Sequence, residues 1–211
     1  MNTATDNKHM VCRNLACSGF PDAGQAVWEK VEKYSFVDVV TGEVPFLSTT
    51  LSAFRFDDEQ SLYLRFQGQD DNICSTFRLH DEPLYREDVF EAFIADEGDL
   101  TNYIELEVSP YDVHFDGMIC YNAQGERKLS MGYDIAGWKT QTVYDRTKQV
   151  IISVWKIPYT AFRVPPAAGV CWRVNFFRID HSERGEALSA YQKTGMPSFH
   201  VPEHFGYLDF V

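Results

Sequence analysis

No stretch of this 211-residue sequence stays apolar for the roughly 20 positions that a membrane-spanning helix needs. Helical membrane passage is therefore excluded, and no membrane partner is expected. Basic residues are also scarce. Nineteen Lys and Arg face 31 Asp and Glu, giving a formal net charge of −12. Such a field repels a phosphate backbone and excludes nucleic acid as a partner, while neutral sugars and cations stay open. Cysteine is sparse and odd in number, at five. Cys12 and Cys17 are separated by four residues with no second ligand pair nearby, so a zinc site is not expected. Cys74, Cys120 and Cys171 fall in or beside strand-like runs and read as small buried hydrophobes with reduced thiols. No G-x-S-x-G element, H-E-x-x-H pair or glycine-rich phosphate loop occurs. The six histidines are scattered; His200 and His204 are four apart, but Pro202 between them argues against a helical metal pair and for loop support. Repeats and linkers are lacking too. The polar start, from Met1 to Met10, has no apolar signal core and predicts a cytoplasmic address, or an extracellular one if a leader has been trimmed.

What the chain does have is aromatic residues, at 15%, within a hydrophobic share of 45%. Aromatics favour strands and flat binding surfaces. Apolar residues alternate with period two over 35–40, 49–56, 61–67, 73–79, 89–95, 102–109, 113–121, 139–145, 150–157, 170–179 and 206–210. Polar turns separate these runs, such as Asp57-Asp58-Glu59-Gln60 and Asp96-Glu97-Gly98-Asp99. Residues 25–33 suit a short helix, and 1–20 read as a poorly ordered lead-in. The expectation is an all-β fold: one antiparallel β-sandwich over 21–211, immunoglobulin-like or jelly-roll-like, with about ten strands.

Two strands pair naturally as a hairpin. Phe90, Ala92 and Ile94 must face the same core as Ile104, Leu106 and Val108, which puts Glu91, Glu105 and Glu107 together on the opposite face. Neighbouring carboxylates repel unless a cation, an arginine or a hydrogen-bonding ligand lies between them, so this face is a candidate ligand site. Along 170–179, Val170, Trp172, Val174 and Phe176 form a core stripe, while Arg173, Asn175 and Phe177 point the other way. Two donors and an aromatic suit a sugar-binding surface; the alternative is a face covered by a loop. Trp155 and Trp172 read as core and Trp28 as a cap, leaving Trp138 as an extra platform for a ring. Glu91 with Glu105 or Glu107 also meets the carboxylate separation of a glycosidase. The short loops speak against the deep cleft such an enzyme needs, so no catalytic residue is assigned.

Several segments in order resemble the family 9 carbohydrate-binding modules. They are Phe54 to Leu64, His80 to Ile94, Tyr103-Ile104-Glu105-Leu106-Glu107-Val108-Ser109-Pro110, Val154 to Tyr159, Gly169 to Phe176, and Ser198 to Leu208. The resemblance implies a sandwich in which two facing aromatics grip a sugar ring and neighbouring polar groups fix its hydroxyls. Its ligand would be a mono- or oligosaccharide, bound without catalysis. Matched position by position, the aromatics fall on Tyr85 and Phe199 and the strand carboxylate on Glu91. Both platforms are tryptophan in sugar-binding members of the family. Glu105 stands about where the family has an arginine, and Phe177 where it has an amide. No cofactor is implied beyond structural calcium, for which Asp57, Asp58, Asp70 and Asp71 are the candidate turn acids. Related DOMON-type sandwiches hold haem through Met and His, which makes Met118 or Met131 a second possibility. A protein-docking module is a third.

Overall fold

The computed structural model describes residues 8–211. Its strands are β1 (His9–Asn14), β2 (Tyr34–Ser35), β3 (Val37–Asp38), β4 (Thr49–Phe56), β5 (Ser61–Gln69), β6 (Val89–Ala95), β7 (Asn102–Val108), β8 (His114–Tyr121), β9 (Arg127–Ser130), β10 (Lys139–Asp145), β11 (Val150–Pro158), β12 (Cys171–Ser182), β13 (Gly185–Ala190) and β14 (Gly206–Phe210). They follow the order β10-β11-β5-β4-β1-β14-β12-β6-β7-β8-β9, with β13, β2 and β3 paired alongside. Pairing is antiparallel except at β1, which runs parallel to β14 through residues 9–12 and parallel to β4 through Arg13 and Asn14. That one strand therefore passes from the first sheet to the second. The expected all-β sandwich forms.

The period-two reading places the core correctly. Phe90, Ala92, Ile94, Ile104, Leu106, Val108, Trp172, Val174 and Phe176 of one sheet pack against Leu51, Leu62, Leu64, Phe66 and Trp155 of the other. Trp28 sits with Phe54 and Tyr63 on the outer side of the second sheet, as a cap.

Four expectations need correction. The lead-in assigned to 1–20 contains β1, whose Met10 and Cys12 are fully buried between the sheets; residues 1–7 lie outside the described residues. Residues 73–79 form no strand. Carboxylates supply the acceptors there that a partner strand would otherwise supply. Asp88 accepts from the Cys74 amide at 2.5 Å, Glu87 from Thr76, and Glu82 from the amides of Arg78 and Leu79 at 2.7 Å. The helix expected over 25–33 is a single 3-10 turn, Ala26–Lys30. Among the cysteines, all of them free, Cys12 is the buried one; Cys74 and Cys120 are half-buried and Cys171 is exposed.

One end of the sandwich is closed by charge. Arg178 of β12 points between the sheets, donating to Asp180, to Asp70 at 3.1 Å, to the Gln69 carbonyl at 2.6 Å and to Thr49 Oγ1 at 3.2 Å. It crosses over Gly68, where an added Cβ would lie 2.3 Å from an Arg178 guanidinium nitrogen. Gly68→Ala is therefore expected to cost roughly 1–3 kcal/mol, the range for overpacking a filled interior. Urea unfolding measures it; an unchanged midpoint would mean that Arg178 can swing aside without loss.

Candidate functional site

The sequence leaves two readings for the outer face of β6, β7 and β12, a solvated sugar-binding surface or a face covered by a loop. It is roofed by the loops before β6 and before β14. Val89, Phe93, Tyr103 and Phe177 on that face pack beneath Leu84, Phe199 and Phe205. The aromatic neighbours need this roof, because Phe93, Tyr103 and Phe177 would otherwise expose large apolar surfaces.

A cleft of about 530 Å³ remains open at one end of the roof. Its floor holds Glu91, Glu105 and Glu107. Glu91 pairs directly with Glu107 across β6 and β7, and Phe93 pairs with Glu105, as hairpin register requires. One carboxylate oxygen from each of the three lies within 4.8 Å of the others. All are buried, at 2, 6 and 1% exposure respectively. Burial holds Glu91 in its protonated form well above the usual carboxylate range, with Glu107 and Glu105 pushing the same way. Burial, then Glu105, raises Glu107, while the Tyr85 amide partly opposes them. Glu105 rises to about 7, burial outweighing the attraction of Arg127. Glu91 Oε1 and Glu107 Oε2 are sealed from solvent without a hydrogen-bond partner. An unpaired buried oxygen is costly, so this floor is built to receive donors or a cation.

Two aromatics stand at the walls. Tyr85 is carried on the 3-10 turn Leu84–Arg86, anchored by buried Leu84, and is 52% exposed. Phe199, in the loop before β14, stacks on Phe177 with ring centroids 4.2 Å apart and planes 11° from parallel. His200 beside it is hydrogen-bonded through Nδ1 to the Tyr103 hydroxyl, 2.8 Å away. Burial lowers His200 to about 3, so the ring is neutral, and its second nitrogen is Nε2. That nitrogen faces Glu105 Oε1 at 3.7 Å.

Of the residues singled out in the sequence, Tyr85, Glu91, Glu105 and Phe199 line this cleft together. The other four lie elsewhere. Arg173 donates to the Phe205 carbonyl at 2.6 Å and lies over the Tyr207 ring, tying down the chain before β14. Asn175 is fully buried; its amide donates to the Gln192 carbonyl at 2.8 Å and accepts from the Gln192 amide at 2.9 Å. Phe177 is the backing behind Phe199. Trp138 stacks on His114 and meets Trp155 edge-on within the inter-sheet core, so it offers no open platform. These four support the fold.

Sequence reading missed Arg127 and gave His200 only loop support. Arg127 enters from β9, opposite Tyr121, and brings a guanidinium to the cleft. It supplies the basic group that Arg173, tied to the Phe205 carbonyl, does not. The turn acids do not assemble: Asp57 is held by Arg55 and Tyr159, Asp70 by Arg178, and Asp58 is exposed. Met118 packs against the inter-sheet core, and Met131 lies on the cleft wall. A second hollow of about 550 Å³, between Tyr111 and Tyr144, is lined by one acid, Asp71, whose Oδ1 is sealed without a hydrogen-bond partner, and by Arg146. Among the described residues no helix is long and apolar enough to cross a membrane.

Comparison with known proteins agrees with this architecture. The family model described as "Carbohydrate family 9 binding domain-like" matches residues 22–211. A protein of Arthroderma benhamiae named "Extracellular protein" is 28% identical over 192 residues, covering 84% of this chain and 85% of that one. Among solved structures, one from Bacteroides uniformis superposes with a TM-score of 0.76 at 17% identity, covering 98% of this chain and all of the other (100%). A carbohydrate binding module family 9 from Caldicellulosiruptor kristjanssonii, solved with cellotriose, superposes at 0.65 with 13% identity, covering 96% of this chain and 93% of that one. The same kind of module from that organism, solved with glucose, gives 0.64 at 13% identity, covering 96% of this chain and 95% of that one.

Proposed function

We propose that this chain, which belongs to the carbohydrate family 9 binding domain-like family, binds a saccharide in the cleft between Tyr85 and Phe199 and does not break it. The observation that carries this reading is the meeting of two aromatic walls with a floor of three buried carboxyl groups. A pyranose has an apolar face of C–H bonds that suits an aromatic ring, and a rim of hydroxyls that suits carboxyl oxygens lacking partners. Glu91, Glu105 and Glu107 accept hydroxyl protons when ionised and donate when protonated, Arg127 is a donor, and His200 Nε2 donates or accepts according to its tautomer. The Caldicellulosiruptor structures, solved with cellotriose and with glucose, support testing those two sugars first.

Hydrolysis is the weaker reading. A retaining pair of carboxylates stands roughly 5–5.5 Å apart on either side of the bond, one of them ionised as the nucleophile. Here the carboxyl oxygens come within 4.8 Å of each other on one face, and burial favours the protonated form of each. Cellotriose incubated with the protein should remain intact while it binds.

Calorimetric titration of a glycan panel, cellotriose and glucose included, tests the binding reading. Tyr85→Ala is expected to weaken affinity by roughly tenfold, about 1.4 kcal/mol. Tyr85 is half exposed, so its loss should leave unfolding unchanged. Phe199→Ala should weaken binding at least as much, with some loss of stability because it uncovers Phe177. Full affinity in both variants would move the site elsewhere; silence across the panel would favour a protein-docking role.

A further inference from the structure

The cleft floor carries more negative charge than its surroundings balance. With Glu91, Glu105 and Glu107 ionised it bears three negative charges against one guanidinium, that of Arg127. His200 is neutral, and Asp81, also at the cleft, lies 3.3 Å from the His80 ring with its Oδ1 sealed and without a hydrogen-bond partner. A surplus of at least two negative charges is left. We propose that Glu91, Glu105 and Glu107 hold one divalent cation of the hard, oxygen-seeking kind, such as Ca²⁺, and that the ion's remaining coordination positions face the cleft and take ligand hydroxyls.

Three observations carry this. First, the geometry fits one ion. Ca²⁺ binds oxygen at about 2.3–2.6 Å, so two ligands on opposite sides of it stand roughly 4.6–5.2 Å apart. One oxygen from each of the three glutamates lies within 4.8 Å of the other two. Second, Glu91 Oε1 and Glu107 Oε2 are closed off from solvent and have no hydrogen-bond partner, on side chains only 2% and 1% exposed. Their lone pairs are free for a ligand, unlike those of Asp88 beside Cys74 and His181, which two backbone amides occupy. Third, the donor set is all carboxylate. Hard ions such as Ca²⁺ and Mn²⁺ suit it; soft metals want thiolate or imidazole.

The consequence reaches the saccharide reading, on which only the second half of the proposal rests. Three carboxylates cannot fill the six to eight positions that Ca²⁺ takes. Adjacent hydroxyls on a sugar ring would supply two of them, while Tyr85 and Phe199 hold the ring's apolar face. Protons compete for the same oxygens, so uptake should strengthen with pH. The charged and titratable groups facing the floor are Arg127, His200, Tyr103, Asp81 and the three glutamates themselves.

Chelator-treated full-length protein titrated with CaCl₂, and with MnCl₂ followed by electron paramagnetic resonance, tests the ion directly. One ion per chain is expected, bound about tenfold more tightly at pH 8 than at pH 6, with proton release. Glu91→Gln and Glu107→Gln keep the side-chain shape and should each weaken uptake tenfold or more; Asp71→Asn should not. Circular dichroism checks that both glutamine variants fold, and the pH dependence of the unaltered protein stands independently of them. No uptake at millimolar Ca²⁺, or uptake indifferent to both glutamine variants, overturns the cation site. Glycan binding without Ca²⁺ uptake leaves the saccharide reading intact and removes the ion. Ca²⁺ uptake without glycan binding does the reverse. Glycan affinity unchanged by EDTA, in protein that does take up Ca²⁺, removes the ion's contact with the sugar.

Discussion

Replacing Arg178 with alanine should destabilise the domain by about 3–5 kcal/mol at pH 8, the cost of leaving buried charge without its partner. Arg178 is 3% exposed and serves Asp70 and Asp180, themselves 1% and 2% exposed. Burial already raises both acids despite the arginine, Asp180 to about 7, so they have no reserve of stabilisation once it is gone. The Gln69 carbonyl and the Phe90 ring lose their guanidinium contact as well. For a domain of this size the loss corresponds to a fall in melting temperature of roughly 10 °C. The penalty should shrink at pH 5, where both acids can take up protons and cease to be charges. Asp70→Asn with Asp180→Asn, combined with Arg178→Met, should recover much of the loss. A cost independent of pH and unrelieved by those partners would assign the effect to packing alone.

Arg178 also shows what the sequence could and could not tell. Its strand was legible, because Trp172, Val174 and Phe176 alternate cleanly and mark an inward face. Arg178 continues that same inward face with Asp180 two residues on, and nothing local says that a second acid, Asp70, meets it from 108 residues earlier in the chain. The hairpin of β6 and β7 was legible for a similar reason: burying both apolar sets fixes the register and brings the glutamates together. The covering of that face was written in Phe93, Tyr103 and Phe177, large rings that a solvated surface would not carry. Edge strands were the blind spot. Arg127-Lys128-Leu129-Ser130 is exposed throughout, so β9 has no hydrophobic period to reveal it or its arginine. β1 alternates over only six residues inside a polar stretch, and its partners β14 and β4 are remote in sequence. Arg173 and Asn175 have side chains suited to ligands, but backbone carbonyls and amides of the neighbouring chain already use them.

The second large effect is a loss of stability as pH rises from about 5 to 8 in the absence of divalent cations. Glu105 titrates near 7 in the folded protein against 4.5 as its ordinary value. Between those values the folded chain keeps a proton that the unfolded chain has released. Stability is then highest below the unfolded value and falls as pH climbs through the folded one. A rise of this size on a group only 6% exposed amounts to roughly 3 kcal/mol across the window. Glu91 and Glu107 act in the same direction, as do Asp180 near 7 and Asp88 near 6. Carboxylates of opposite shift, such as Asp57, Glu59 and Glu87, lose their contribution only as pH falls below the ordinary carboxylate range, so they do not offset this slope; His200 and His114, both lowered by burial, do oppose it up to their ordinary value of 6.5. Urea unfolding in EDTA at pH 5, 6, 7 and 8 should show the midpoint decline, most clearly above pH 6.5 where the buried histidines no longer oppose it. Glu105→Gln should flatten the decline and make the protein more stable than the parent at pH 8, while weakening the ligand. A midpoint that holds level or rises towards pH 8 would mean that the cleft glutamates are ionised and already balanced in the folded protein. Gain of stability on removing a carboxylate, together with loss of binding, would identify the floor as a place where folding is strained so that a ligand can relieve it.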